Sequence, residues 1–310
     1  MKRWLDHMKK DYMHDYIIER DEYGDWCVPP ERSDLIHTQD SMRITPGALL
    51  ATSHLYYLSE MLAHFAELSG NDSDALELRR DAEKVKEAFN ARFFNTEDGY
   101  YANNTVTSNL LPLRFGMVPN GMESKVIQHI VDKTENDFGG HISVGVMGVQ
   151  HIMRGLTESD CLELAYKIAS NTDYPSWGYM AKNGATTIWE LWNGNTANPA
   201  MNSGNHVMLL GDLLIWEYSY LAGITNADGS CGYRTIKLKP HIPKDLNNVD
   251  CQYHSIYGTI ASSWRKADGK LVWDFIIPAN TSAEVWIPQK KGGYKVKKYK
   301  SGSYTIKTEI

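Results

Sequence analysis

Between Tyr174 and His206 the chain reads YPSWGYMAKNGATTIWELWNGNTANPAMNSGNH. One carboxylate, Glu190, stands among three indoles, Trp177, Trp189 and Trp192. Asn193, Asn195, Asn198, Asn202 and Asn205 follow, and His206 closes the stretch. Amide side chains offer donors and acceptors together, and aromatic faces suit the apolar C–H face of a pyranose. The combination is that of a sugar site. Hydrolysis of a glycosidic bond takes two carboxyl groups, one as general acid and one as base or nucleophile, and Glu190 is the first candidate for one of them. The same residue could instead cap a helix or pair with a surface arginine, because W-E-x-W is a short pattern. His206 could orient the glutamate or bind a hydroxyl, or serve as a core histidine at a helix start.

A second candidate pair is Asp25 and Trp26 in Tyr23-Gly24-Asp25-Trp26. An aspartate beside an indole on a loop can accept hydroxyl hydrogens while the ring packs on a sugar face, or it can simply anchor the loop. Cys27, Cys161, Cys231 and Cys251 are widely spaced, with no C-x-x-C, and the eleven histidines form no H-E-x-x-H. Neither a zinc site nor a disulfide framework is expected. Walker, G-x-G-x-x-G and G-x-S-x-G patterns do not occur, so no cofactor is expected.

The elements that must position these residues change character along the chain. Apolar residues recur at helical spacing over 2–17, from Thr45-Pro46 to Gly70, and from Ser73 to Phe93. Shorter helical segments are expected at about 105–116, 121–133, 143–154 and 157–170, and one more apolar helix from Val207 to Leu221. Residues 20–45, with Gly24, Pro29 and Pro30, read as an irregular loop. Beyond Gly223 the pattern turns β-branched and alternating, with a hairpin signal at Ala267-Asp268-Gly269. Two domains are expected: residues 1–225, built of stacked helical hairpins, and residues 226–310, an antiparallel β-sandwich.

Charge separates the same two parts. Residues 226–310 carry 14 Lys and Arg against 7 Asp and Glu, although the whole chain is at −6. The basic run from Lys290 to Lys300 alternates with tyrosines as a solvated strand face does, so no nucleic-acid partner is expected. No apolar run approaches the ~20 residues of a membrane span. The first residues form a charged amphipathic helix rather than a leader, and the compartment is left open.

At these residues the chain resembles the α-L-rhamnosidases of glycoside hydrolase family 78. The matching stretches are MKRWLDHM, YGDW, HISVGVMG, YPSWGYMAKNGATTIWELWNG and MNSGNH, with GYRTIKLKP, YGTIASSW and IPANTSAEVWIP in the closing β-sandwich. The resemblance implies a mostly α fold, an incomplete (α/α)6 barrel followed by a small antiparallel β-sandwich. It implies an inverting mechanism on a rhamnose-containing glycoside, with Glu190 as the general base. Asp25, Trp26, Trp177, Trp189, Trp192, Asn202 and His206 fall on stretches that line the family's sugar pocket. The family's general-acid motif has no match within residues 1–310. The chain is therefore expected to be the C-terminal part of a longer enzyme, nearly inactive alone and poorly soluble or paired with a second copy. Two alternatives stand beside this: another (α/α)6-barrel glycosidase, and a non-catalytic rhamnose-binding remnant.

Overall fold

The structure is a computed structural model that describes residues 1–198 and 203–309. The chain divides into two compact units, Met1–Gly211 and Asp212–Ile310.

The first unit is built from helices that pack in sequence-adjacent pairs. Helix α1 (Lys2–Tyr12) ends in a two-residue hairpin, β1 (Met13–His14) and β2 (Ile17–Ile18). The expected helix to residue 17 stops early because Asp15 and Tyr16 both take positive φ, as the tight turn of a two-residue hairpin demands. Helices α2 (Gly47–Leu68) and α3 (Asp72–Phe93) form the longest pair. Ala75, Leu78, Ala82, Val85 and Phe89 repeat every three or four residues on α3 and are all buried. Asp72 and Asp74 place negative charge on its first turn, where the helix dipole favours it.

A small hairpin, β3 (Phe94–Asn95) and β4 (Tyr100–Tyr101), leads to α4 (Val106–Arg114) and α5 (Glu123–Asp132). The Thr105 hydroxyl caps α4 by accepting from Ser108 N at 3.1 Å. The single helix expected at 143–154 is instead a short turn, α6 (Val146–Val149), followed by α7 (Ile152–Glu158), with α8 (Leu162–Ser170) after it. Helix α9 (Trp177–Lys182) starts at Ser176, whose hydroxyl accepts from Tyr179 N at 2.9 Å. The expected helix from Val207 to Leu221 is not continuous. A 3-10 turn, Val207–Leu210, ends at Gly211, which has φ +60 and lies so close to Val149 that a Cβ would sit 2.2 Å from its carbonyl oxygen. No side chain fits there, and the helical path breaks.

In the second unit α10 (Leu213–Trp216) precedes a six-stranded sheet. Its strands are β5 (Ile224–Asn226), β6 (Thr235–Leu238), β7 (Asn248–Ser255), β8 (Gly258–Ala267), β9 (Lys270–Pro288) and β10 (Tyr294–Glu309). The order is β5-β6-β9-β8-β7, with β10 along β9. All pairings are antiparallel except β6 with β9, a parallel pair made possible because two strands intervene between them in sequence. The first half of β9 pairs with β8 and the second half with β6, while β10 follows both halves with a register shift between Lys300 and Gly302. Asp268 and Gly269 take positive φ at the β8–β9 turn, as the hairpin signal required. Leu271, Trp273, Phe275 and Ile277, then Ala283, Val285 and Ile287, alternate into one core with Ile260 and Trp264.

Candidate active site

The loop from Arg20 to Thr45 is irregular, but it is held at many points. Asp21 Oδ1 accepts from Tyr23 N at 2.9 Å and Gly24 N at 2.8 Å, and Gly24 takes φ +64. This tight turn directs Asp25 inward. Asp25 is 8% exposed, and its carboxylate meets four donors. Oδ2 accepts from Thr107 Oγ1 at 2.5 Å and Gly145 N at 3.0 Å, and Oδ1 from Met147 N at 2.8 Å and Gly148 N at 3.1 Å. Burial pushes its pKa up, and the four hydrogen bonds oppose the shift. With two donors on each oxygen its accepting capacity is filled by the protein itself. Asp25 thus fastens the loop to the start of α6 and to α4, and Trp26 O accepts from Val146 N at 2.7 Å beside it.

Trp26 is left half-buried at the wall of a cavity of about 170 Å³, lined also by Tyr23, Cys27, His37, Thr38, Ile44 and Thr45. His37 packs edge-on against the Trp26 ring at 4.9 Å between centroids. The Cys27 thiol is pushed up to about 12, chiefly by burial, with the negative charges of Glu190 and Asp25 adding to the shift.

Glu190 sits on a strand-like pairing between residues 187–190 and 203–206. Its N–H donates to Ser203 O at 2.9 Å, and His206 N donates to Ile188 O at 2.7 Å. Ser203 N donates in turn to Glu190 Oε2 at 3.0 Å. The carboxylate side chain is only 20% exposed, and His206 Nδ1 lies 3.9 Å from its Oε1. Of the indoles, Trp177 and Trp192 are core residues that meet edge to face at 5.6 Å, and the Trp177 N–H donates to Leu209 O at 2.8 Å. Both are buried, whereas Trp189 is half-buried. Asn202 lies outside the described residues. Asn193, fully buried, donates to Ser33 O at 2.8 Å and Leu35 O at 2.7 Å, and the Tyr174 hydroxyl donates to Pro30 O at 3.1 Å. These bonds tie the loop of Trp26 to the segment of Glu190.

Residues 1–221 match the bacterial alpha-L-rhamnosidase 6 hairpin glycosidase domain, and residues 223–302 match the bacterial alpha-L-rhamnosidase C-terminal domain. The chain belongs to the bacterial α-L-rhamnosidase family. An α-L-rhamnosidase of Streptomyces avermitilis is 28% identical over 291 residues, 92% of this chain and 26% of the relative. One of Formosa agariphila is 30% identical over 295 residues, 93% of this chain and 31% of the relative. Among solved structures, the S. avermitilis α-L-rhamnosidase complexed with L-rhamnose superposes with a TM-score of 0.88 at 26% identity, covering 99% of this chain and 30% of that one. The α-L-rhamnosidase of Dictyoglumus thermophilum gives 0.88 at 30% identity, covering 100% and 36%. The chain spans less than a third of the length of these two sequence relatives.

Within this rhamnosidase frame, several site residues carry little signal in the sequence. Thr107 and His37 occupy ordinary helix and loop positions. Gly145 and Gly148 stand in HISVGVMG, and their spacing has a physical reason. A Cβ on Gly145 would lie 2.3 Å from the carbonyl oxygens of Asp25 and Trp26, and one on Gly148 would lie 2.5 Å from Thr107 Oγ1. Glycine at both positions lets the Asp25 clamp close.

Proposed function

We propose that this chain supplies the general base and much of the sugar pocket for the inverting hydrolysis of terminal α-L-rhamnosides, with Glu190 as the base. The observation that carries the reading is the state of the Glu190 carboxylate: mostly shielded, with Oε2 held by Ser203 N–H and Oε1 beside the His206 ring. A fixed, partly dry carboxylate is what a base aimed at one water requires. The L-rhamnose in the S. avermitilis structure supports the choice of sugar.

In this scheme Oε1 takes a proton from water as the water oxygen attacks the anomeric carbon. The bond to the leaving-group oxygen breaks on the opposite face, and a carboxylic acid protonates that oxygen. Asp25 is the carboxylate that lines the cavity of Trp26, and its oxygens are already filled. Asp25 is thus not free to act as the acid, and because the family's general-acid motif has no match within residues 1–310 we assign the acid to a group outside this chain. Trp26 and Trp189, both half-buried, present ring surface to the sugar, Trp177 and Trp192 lie buried in the core of the same unit, and Asp25 acts by fixing Trp26. Asn202 and His206 complete the proposed sugar contacts.

The test is Glu190→Gln in the full-length protein, followed with an aryl α-L-rhamnoside. A loss of about 10²–10⁴-fold in kcat with an unchanged melting curve is expected, and NMR of the wild-type reaction should show inversion at the anomeric carbon. Full activity in the variant would remove Glu190 from catalysis, and a retained anomer would replace the base by a nucleophile.

A further inference from the structure

One face of the sheet unit carries ordered cations. Ile236, Leu238, Ala283 and Val285 lie in the core, so their neighbours on β6 and β9 point away from it, because successive side chains of a strand alternate. The register lines these neighbours up across three strands. Thr235, Ser282 and Lys300 form one row, and Lys237, Glu284 and Lys298 form the next. Trp286 and Val296 begin a third, and Lys239, just past the end of β6, reaches the Trp286 ring. Every one of these residues is half-buried or exposed.

Two of the ammonium groups are held by aromatic rings. Lys237 Nζ stands 5.6 Å and Lys239 Nζ 5.2 Å from the centre of the Trp286 ring, and Lys239 Nζ also stands 5.0 Å from that of Tyr294. A cation–π contact orders a flexible lysine without neutralising it. Carboxylates offset only half of the charge. Asp228 pairs with Lys237 at 2.9 Å, and Glu284 pairs with Lys298 at 3.7 Å. Lys239 and Lys300 pair with no carboxylate among the described residues.

The size of the face selects among anions. From the row of Lys300 to the row of Trp286 is four residues of strand, about 13 Å at ~3.3 Å per residue. A single small anion meets one row, whereas a chain with charges along its length meets all three. The composition narrows the choice further. Glu284, Asp228 and the hydroxyls of Thr235 and Ser282 lie among the cations. The two carboxylates repel the closely spaced phosphates of a nucleic acid, while all four groups accept hydrogen bonds from ligand hydroxyls. A linear polymer in which carboxylates alternate with hydroxyl groups matches this surface.

We propose that this face binds acidic polysaccharide, a chain containing uronic acid units, through Lys237, Lys239, Lys298 and Lys300. The choice of a sugar polymer rests on the glycosidase reading of the Glu190 site, and the test reads binding without turnover, so either can fail alone.

The full-length protein is titrated calorimetrically with polygalacturonate, with neutral dextran and with a short DNA duplex. Polygalacturonate is expected to bind and dextran not to, and raising the salt to about 0.5 M should weaken binding at least tenfold. The double variant Lys239→Ala/Lys300→Ala, which breaks no ion pair, should bind at least about fivefold more weakly with an unchanged melting curve. Lys300→Glu, at an exposed position, carries the same expectation if the double variant fails to fold. Absence of polygalacturonate binding, or undiminished binding by the folded variants, would overturn the proposal. Equal affinity for the DNA duplex would overturn it too, since the face would then attract charge alone.

Discussion

His206 Nδ1 lies 3.9 Å from Glu190 Oε1, beyond hydrogen-bonding range, while Ser203 N–H holds the other oxygen at 3.0 Å. The imidazole is thus near enough to orient a water or a sugar hydroxyl between them, and not near enough to occupy the carboxylate. His206 is anchored through its backbone, by the bond from its N–H to Ile188 O, so the ring can be removed without loosening the segment. His206→Ala is expected to lower kcat/KM for an aryl rhamnoside by about ten- to a hundredfold, less than Glu190→Gln. Equal losses in the two variants would show that the ring, rather than the carboxylate, sets the reacting geometry.

The Asp25 clamp should be visible in stability. Asp25→Ala leaves Thr107 Oγ1–H and three backbone N–H groups of the 145–148 turn without their acceptor. Each orphaned buried group costs about 1–3 kcal/mol, so a loss of at least about 3 kcal/mol in urea unfolding is expected. Asp25→Asn keeps one accepting oxygen and should fall between. Gly145→Ala forces a Cβ against the carbonyl oxygens of Asp25 and Trp26 and should destabilise by about 1–3 kcal/mol through overpacking. Wild-type unfolding midpoints in all three variants would mean that the loop is held elsewhere.

His151 should make the helical unit acid-sensitive. Its pKa is pushed down to about 3, mainly by burial and further by Arg154, Arg114 and His54. The ring packs edge-on against Phe115 at 5.2 Å. A histidine whose folded pKa lies below its unfolded value binds fewer protons in the native state between the two. Its contribution is therefore intact above about pH 6.5 and is lost as pH falls toward 3, at up to ~1.4 kcal/mol per pH unit. His54, also held down by burial, adds in the same direction. Unfolding measured from pH 7 to pH 4 should show a shallower decline in His151→Gln, and parallel curves would count against this origin.

The sheet unit holds a buried polar relay. Trp273 Nε1 donates to Ser262 Oγ at 3.0 Å, and Ser262 Oγ donates to Ala222 O at 2.6 Å. Ser262→Ala strands an indole N–H and a carbonyl, and about 2–4 kcal/mol of stability should be lost. Adding Trp273→Phe removes the stranded donor, so the double variant should cost less than the sum of the two single ones. Strict additivity in thermal melts would show that the relay does not couple the two residues.

Much of this architecture could be read from residue order. The buried stripe on α3, the switch to alternation after Gly223 and the Ala267-Asp268-Gly269 turn each follow from spacing, because periodicity records which face is buried. What could not be read depends on contacts between distant segments. Nothing near Gly211 in sequence reveals that Val149 O blocks a side chain there. That Trp177 and Trp192 are buried in the core while Trp26 and Trp189 stay half-buried is also a tertiary outcome. Asp25 and its neighbour Trp26 show this most plainly. Both line one cavity, but Trp26 stays half-buried at its wall while the oxygens of Asp25 are taken up by Thr107 and by a turn 120 residues away in sequence.

Strand β10 pairs with β9 along one side only among the described residues, and Lys295, Lys297, Lys298 and Lys300 stand exposed along it. An unpaired border of that length is a template on which another molecule could add a strand, and rows of like charge discourage such growth. The lysines of β10 then guard this border against strand addition, and acetylating them would remove that guard.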